Sequence, residues 1–157
     1  MVNASIITAA TAPDSPSRQM GSTVVLALLQ QDATGVTAWI GHGGDSRADL
    51  VHAAELIRIT NDHSAVQALL NRNLITPEQA FTHPDTSVLT RSMGNNGQVE
   101  IEIDMVPIDP GDNLLLCPDG LWAYVAESEI RTVVSNPCQS ANSARSWLGG
   151  CGCSCRC

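Results

Sequence analysis

Aromatic residues make up only 3% of this 157-residue chain, with three Trp, one Tyr and one Phe. Any core must therefore be assembled from Val, Ile, Leu and Ala. Basic residues are scarce too: 8 Lys and Arg against 16 Asp and Glu give a net charge of −8. Nucleic-acid binding needs a basic face that displaces counterions, so this balance argues against such a partner. It equally disfavours anionic membrane surfaces. No apolar run is long enough to span a bilayer. The stretch from Met1 to Pro13 lacks the basic start and long apolar segment of a secretory leader. The expected setting is cytoplasmic, where the Asn3-Ala4-Ser5 glycosylation triplet is a chance match.

What is present is an ordinary globular composition, 43% hydrophobic and 15% charged, and enough chain for one domain with a core. Val2 to Ala10 reads as a helix, stopped by Pro13 and Pro16. Thr23 to Leu29 and Val36 to His42 read as strands of an antiparallel hairpin, joined by a polar connection over Gln30 to Gly35. Leu56 to Thr60 forms a further short strand. His63 to Leu74 has helical spacing, with Val66, Leu69, Leu70 and Leu74 toward the core. Thr76-Pro77-Glu78-Gln79 carries a capping box and a proline at the first helical position.

Val99, Ile101, Ile103 and Met105 alternate with Glu100, Glu102 and Asp104. The alternation predicts a half-buried strand with its apolar set inward. Asp109-Pro110-Gly111-Asp112 is a turn. Leu114 to Cys117 reads as a buried strand, and Ser128 to Val134 as a helix. The elements describe one α+β domain of mainly antiparallel strands with helices packed on them.

Several short runs carry chemistry. Asp119-Gly120 follows the Leu114-Leu115-Leu116 run. A carboxylate at the end of a buried strand, beside a glycine that lets ligands approach, suits a hard cation. Gly-Asp also marks plain turns. Asp62 stands before His63-Ser64, a position equally suited to a helix N-cap or to a ligand. His63 and His83 receive no role, because an isolated His more often packs or faces solvent, and His42, inside a strand, reads as structural. Cys117 reads as inert packing.

Taken together, the runs resemble the metal-dependent Ser/Thr protein phosphatases of the PPM type, also called type 2C. The resemblance rests on Met20-Gly21-Ser22-Thr23, Trp39 to Arg47 with its Gly44-Asp45-Ser46-Arg47, and Thr60-Asn61-Asp62-His63-Ser64. It continues through Leu89-Thr90-Arg91-Ser92-Met93-Gly94 and Gly111 to Trp122, in the family's order. It implies an α-β-β-α sandwich of mainly antiparallel sheets flanked by helices, and hydrolysis of phosphate monoesters by a water activated between Mn²⁺ or Mg²⁺ ions. It implies phosphoserine or phosphothreonine protein substrates, made by a Ser/Thr kinase. Asp119 matches a core metal ligand, Asp62 a ligand of a third metal site, and Asp45 an aspartate expected to tie the hairpin together.

The family's first metal motif is expected upstream of Met1 and its last Asp-Asn strand after Asn136. The resemblance therefore implies a fold incomplete at both termini, covering 1–145, and a catalytic centre lacking ligands. A catalytically dead remnant that binds phosphoprotein, or has no function, is the alternative. Within the motifs, Gly43 replaces an aliphatic residue, Asp49 replaces an apolar strand residue, and Pro118 removes a hydroxyl and an N–H beside Asp119. The tail over 146–157 places Cys151, Cys153, Cys155 and Cys157 at alternate positions. Such thiolates suit zinc or copper(I), but a shifted reading frame explains the abrupt change of composition better. Missing strands imply open edges and a poorly soluble chain.

Overall fold

The computed structural model describes residues 2–15, 20–95 and 99–135. In chain order these form α1 (Val2–Thr11), β1 (Val24–Asp32), β2 (Gly35–Gly43), β3 (Arg47–His52), β4 (Glu55–Arg58), α2 (Ala65–Asn71), α3 (Pro77–Phe81), β5 (Glu102–Ile108), β6 (Asn113–Cys117), α4 (Asp119–Trp122) and α5 (Glu127–Ser135). The strands make two three-stranded sheets, ordered β1-β2-β5 and β4-β3-β6, and every pairing is antiparallel. This is the α+β arrangement expected of the sequence. Among the described residues no helix is long and apolar enough to cross a membrane.

The first hairpin is longer than its apolar run. Gln30 pairs with Thr37 and Gln31 with Val36, because ladder hydrogen bonds come from the backbone whatever the side chain. The expected six-residue connection shrinks to Ala33-Thr34. Asp32 Oδ1 closes it by accepting from the Thr34 N–H at 2.7 Å, a local bond typical of Asp at turns.

Between the sheets, Ala38, Ile40 and Ala48 are buried and are packed by Val25, Ala27, Ile59, Val106, Ile108 and Leu114. Ile40 is the one large side chain of that buried cluster, beside two alanines.

β5 corrects the alternation argument. The strand begins at Glu102 rather than Val99, and its register sets Glu102 opposite His42, Asp104 opposite Ile40 and Val106 opposite Ala38. Side chains two apart share a face, so Glu102 and Asp104 lie on the inter-sheet side with Val106 and Ile108. Ile103 and Met105 point outward and are 65% and 63% exposed. The inward choice is made by Val106 and Ile108, at the end of the strand that reaches the core.

Two further expectations change. β6 is deeply buried only at Cys117, and Leu116 is exposed. α2 starts at Ala65, capped by Ser64, whose hydroxyl accepts from the Gln67 N–H. Asp62 is therefore not the cap. The helix ends at Asn71, Asn73 takes a positive φ of 54°, and Leu74 is left exposed rather than facing the core. The Thr76 capping box forms as expected, with Gln79 Oε1 accepting from the Thr76 N–H and Thr76 Oγ1 from the Gln79 N–H.

Candidate functional site

The end of β2, the start of β3 and the end of β6 meet at one end of the sandwich, since Arg47 pairs with Cys117. The Gly43-Gly44-Asp45 loop turns the chain from one sheet to the other there. Gly44 has φ +119°, and a Cβ on it would collide with Thr23, so glycine is required. Thr23 Oγ1 and Ser46 Oγ, 2.7 Å apart, pin the loop to the start of β1.

His63 holds the same loop. Its backbone N–H donates to the Gly44 carbonyl at 2.9 Å, and its Nδ1 accepts from the Gly44 N–H at 3.2 Å. With Nδ1 accepting, the proton sits on Nε2, which donates to Glu102 Oε2 at 2.8 Å. That bond, first among the causes, holds the Glu102 carboxyl below its ordinary range. Arg91 Nη1 completes the group at 3.6 Å from Glu102.

His42 stacks on His63, with ring centroids 4.5 Å apart. It is fully buried, and neither of its ring nitrogens has a hydrogen-bond partner among the described residues. Burial, then His63, push its pKa down, so the ring is neutral. His42, His63 and Glu102 bring ligand atoms within 4.8 Å of one another. The bonding nevertheless disfavours a cation, because a His that ligates through Nε2 carries its proton on Nδ1, where Gly44 already donates.

Asp62 faces the other side. Arg47 Nε donates to its Oδ1 at 2.9 Å and Arg47 Nη2 to its Oδ2 at 2.6 Å, and both residues are buried. The Arg47 guanidinium lies 3.4 Å over the Trp122 ring. Trp122 Nε1 donates to the Asp45 carbonyl at 3.1 Å. Asp119, at the start of α4, is exposed, and its Oδ1 accepts from the Gly120 N–H. Asp119 has no ion pair among the described residues. Burial raises the pKa of Asp45, and the charge of Asp119 raises it further.

The two predicted metal residues thus occupy different settings. Asp119 is open, and it and Asp45 each stand two residues beyond the paired Arg47 and Cys117, at the same end of the β3–β6 ladder. Asp62 is held through both oxygens, so a cation there competes with Arg47. A partly buried carboxylate beside a second negative charge suits a hard divalent cation, which offsets the repulsion felt at Asp45. Asp45 and Asp119 supply such a pair.

The remaining motif departures find physical settings. Asp49 pairs in register with Arg58, and its Oδ1 lies 3.9 Å from Arg58 Nε. Gly43 leaves room for Ile101, which would lie 3.1 Å from an added Cβ. Burial pushes the Cys117 thiol up to about 11, which keeps it protonated and unreactive. The alternating cysteines of the tail lie outside the described residues.

Two antiparallel sheets thus carry Asp45, Asp62 and Asp119 on separate connecting segments. Comparison with known proteins makes this particular. No family model matches the chain. It is 37% identical over 124 residues to protein phosphatase PhpP of Streptococcus pneumoniae, taking in 78% of this chain and 48% of that protein. It is similar in structure to the Mycobacterium tuberculosis serine/threonine phosphatase PstP/Ppp, with TM-score 0.78 and 32% identity over 94% of this chain and 60% of that one. The catalytic domain of PstP in complex with 2 manganese ions gives TM-score 0.68 and 31% identity, over 83% of this chain and 52% of that chain. The curated relatives and solved structures it matches are PPM-type, or type 2C, Ser/Thr protein phosphatases. It spans about half the length of the curated relatives it matches.

The sequence reading left several residues without roles. Trp122 and Arg47 stood inside quoted motifs, yet no periodicity shows that they touch. An isolated His63 carries no signal of its partners, and a strand position marks His42 only as structural. Only the β2–β5 register brings Glu102 to them.

Proposed function

We propose that this chain forms one wall of the metal centre of a protein Ser/Thr phosphatase, acting on phosphoserine or phosphothreonine in protein substrates. The observation that carries the reading is the placement of Asp45 and Asp119 at one end of the β3–β6 ladder, each two residues beyond the Arg47–Cys117 pair, with Asp119 exposed. Asp119 holds Mn²⁺ or Mg²⁺, with Asp45 facing the same ion. Asp62, through Arg47, anchors the loop, or reaches a further cation when Arg47 is displaced. Such a metal centre supplies a water of lowered pKa and offsets phosphoryl charge. The chain's own part is to hold these carboxylates in place. The phosphatase unit covers 1–145, the tail over 146–157 lies outside it, and the setting is cytoplasmic alongside a Ser/Thr kinase. Kinship with bacterial Ser/Thr phosphatases supports this context.

The second reading is a remnant that binds phosphoprotein without hydrolysis. It is favoured by the commitment of both Asp62 oxygens to Arg47. Hydrolysis of an aryl phosphate by the purified chain, with Mn²⁺ and with chelator, separates the two when measured beside Asp119→Ala. Mn²⁺-dependent turnover lost in the variant supports the enzyme. Turnover equal to that of the variant leaves the remnant.

A further inference from the structure

Asp119 is carried by α4, which is only four residues long and has no side-chain cap at Pro118. Such a turn does not fix a carboxylate by itself, since isolated helices this short are unstable. Something outside α4 has to hold it against the Asp45 loop. Trp122, at the other end of the same turn, makes that connection twice. Its indole N–H, a donor with no acceptor function, reaches the Asp45 carbonyl at 3.1 Å. Its ring face carries the Arg47 guanidinium at 3.4 Å, and Arg47 in turn grips Asp62. Trp122 therefore ties α4 directly to the segment that bears Asp45 and Arg47, and through Arg47 to Asp62.

Building on the cation reading above, we propose that Trp122 is a positioning residue that sets the spacing between Asp119 and Asp45, and with it the affinity for a divalent cation. Trp122 touches neither cation nor substrate. It acts by fixing the backbone that presents Asp45 relative to the turn that presents Asp119. The indole N–H sets the approach of the two segments, and the stacked guanidinium keeps the ring from rotating away.

The test is Mn²⁺ titration of the full chain by calorimetry, with the metal-free thermal melt recorded in parallel. Trp122→Phe keeps a ring face for Arg47 and removes the N–H. It is expected to weaken Mn²⁺ binding by roughly five-fold, the scale of one hydrogen bond, while the melt in chelator moves by only a few degrees. Unchanged Mn²⁺ affinity overturns the proposal. Asp119→Ala serves as the reference for the site itself. If it binds Mn²⁺ as the parent chain does, the cation reading fails and the positioning role fails with it. If it loses binding while Trp122→Phe does not, the positioning role alone fails. Should Trp122→Phe not fold, Arg47→Lys keeps a positive charge for Asp62 and removes the flat group from the ring. A folded Arg47→Lys chain with parental Mn²⁺ affinity overturns the proposal, and a weakened one supports it.

Discussion

His63 grips Gly44 from both directions. Its backbone N–H donates to the Gly44 carbonyl, and its ring Nδ1 accepts the Gly44 N–H. The loop that turns between the sheets and presents Asp45 is thereby stitched to the segment that presents Asp62. Glu102 steadies the ring from the far side.

Replacing His63 by Ala leaves the Gly44 N–H and the Glu102 carboxylate without this partner. The expected loss is about 2 kcal/mol, since an unsatisfied buried donor costs about 1–3 kcal/mol. Urea unfolding of the parent and variant chains checks it, and equal midpoints would show that the ring bond contributes nothing.

Stability should fall on acidification below neutrality. His42 is buried neutral, its pKa pushed below the ordinary 6.5 by burial and by His63. The unfolded chain takes up a proton there before the folded one does, so stability is full above about pH 6.5 and declines as pH falls from it. Glu102, held below its ordinary 4.5 chiefly by the His63 bond, adds a second decline as pH falls through its folded value. His52 acts in the opposite sense: Asp112 raises its pKa, so its contribution is present below 6.5 and is lost as pH rises through the folded value. Thermal melts from pH 8 to pH 5 should therefore show less loss near pH 6 in His42→Phe than in the parent chain, because the variant lacks the His42 contribution.

The Arg47–Asp62 pair is buried and two-pronged. Removing one partner strands the other charge, at a cost of about 3–5 kcal/mol. Asp62→Asn should therefore unfold at markedly lower denaturant than the parent. A shift below about 1 kcal/mol would mean that the pair is solvated and weak, as surface pairs are.

The outer face of the first sheet is apolar and open. Trp39 lies between Leu28 and Met105 in register, and Leu28 and Met105 are 63% exposed each. A row of this kind is an association hazard. Leu28→Lys combined with Met105→Glu should raise the soluble monomer fraction in light scattering, with little change in melting temperature. An unchanged aggregation profile would place the hazard elsewhere, at the sheet edges.

The helices and hairpins were legible wherever a local rule decides them. Pro77 and the Thr76–Gln79 box start α3 because their bonds close within one turn. The Val24–Gly43 hairpin follows from apolar runs flanking a polar turn. The ordered motifs carried the family, since each is fixed by backbone geometry or by a carboxylate that the chemistry needs. The sequence alone also determined the acidic balance and the short supply of aromatic core residues.

Tertiary structure decided what each side chain meets. Alternation in β5 gave two faces but not which one turns inward. Val106 and Ile108, packing against Ala38 and Ile40, settled that and carried Glu102 to His63. Asp62 could cap or ligate by local rules, until β3 brought a guanidinium to both its oxygens and left the cap to Ser64. Asp119 and Asp45 come together only because β3 and β6 pair end to end. Long-range pairing fixes these outcomes, and a period read along the chain carries no information about what stands across the sheet.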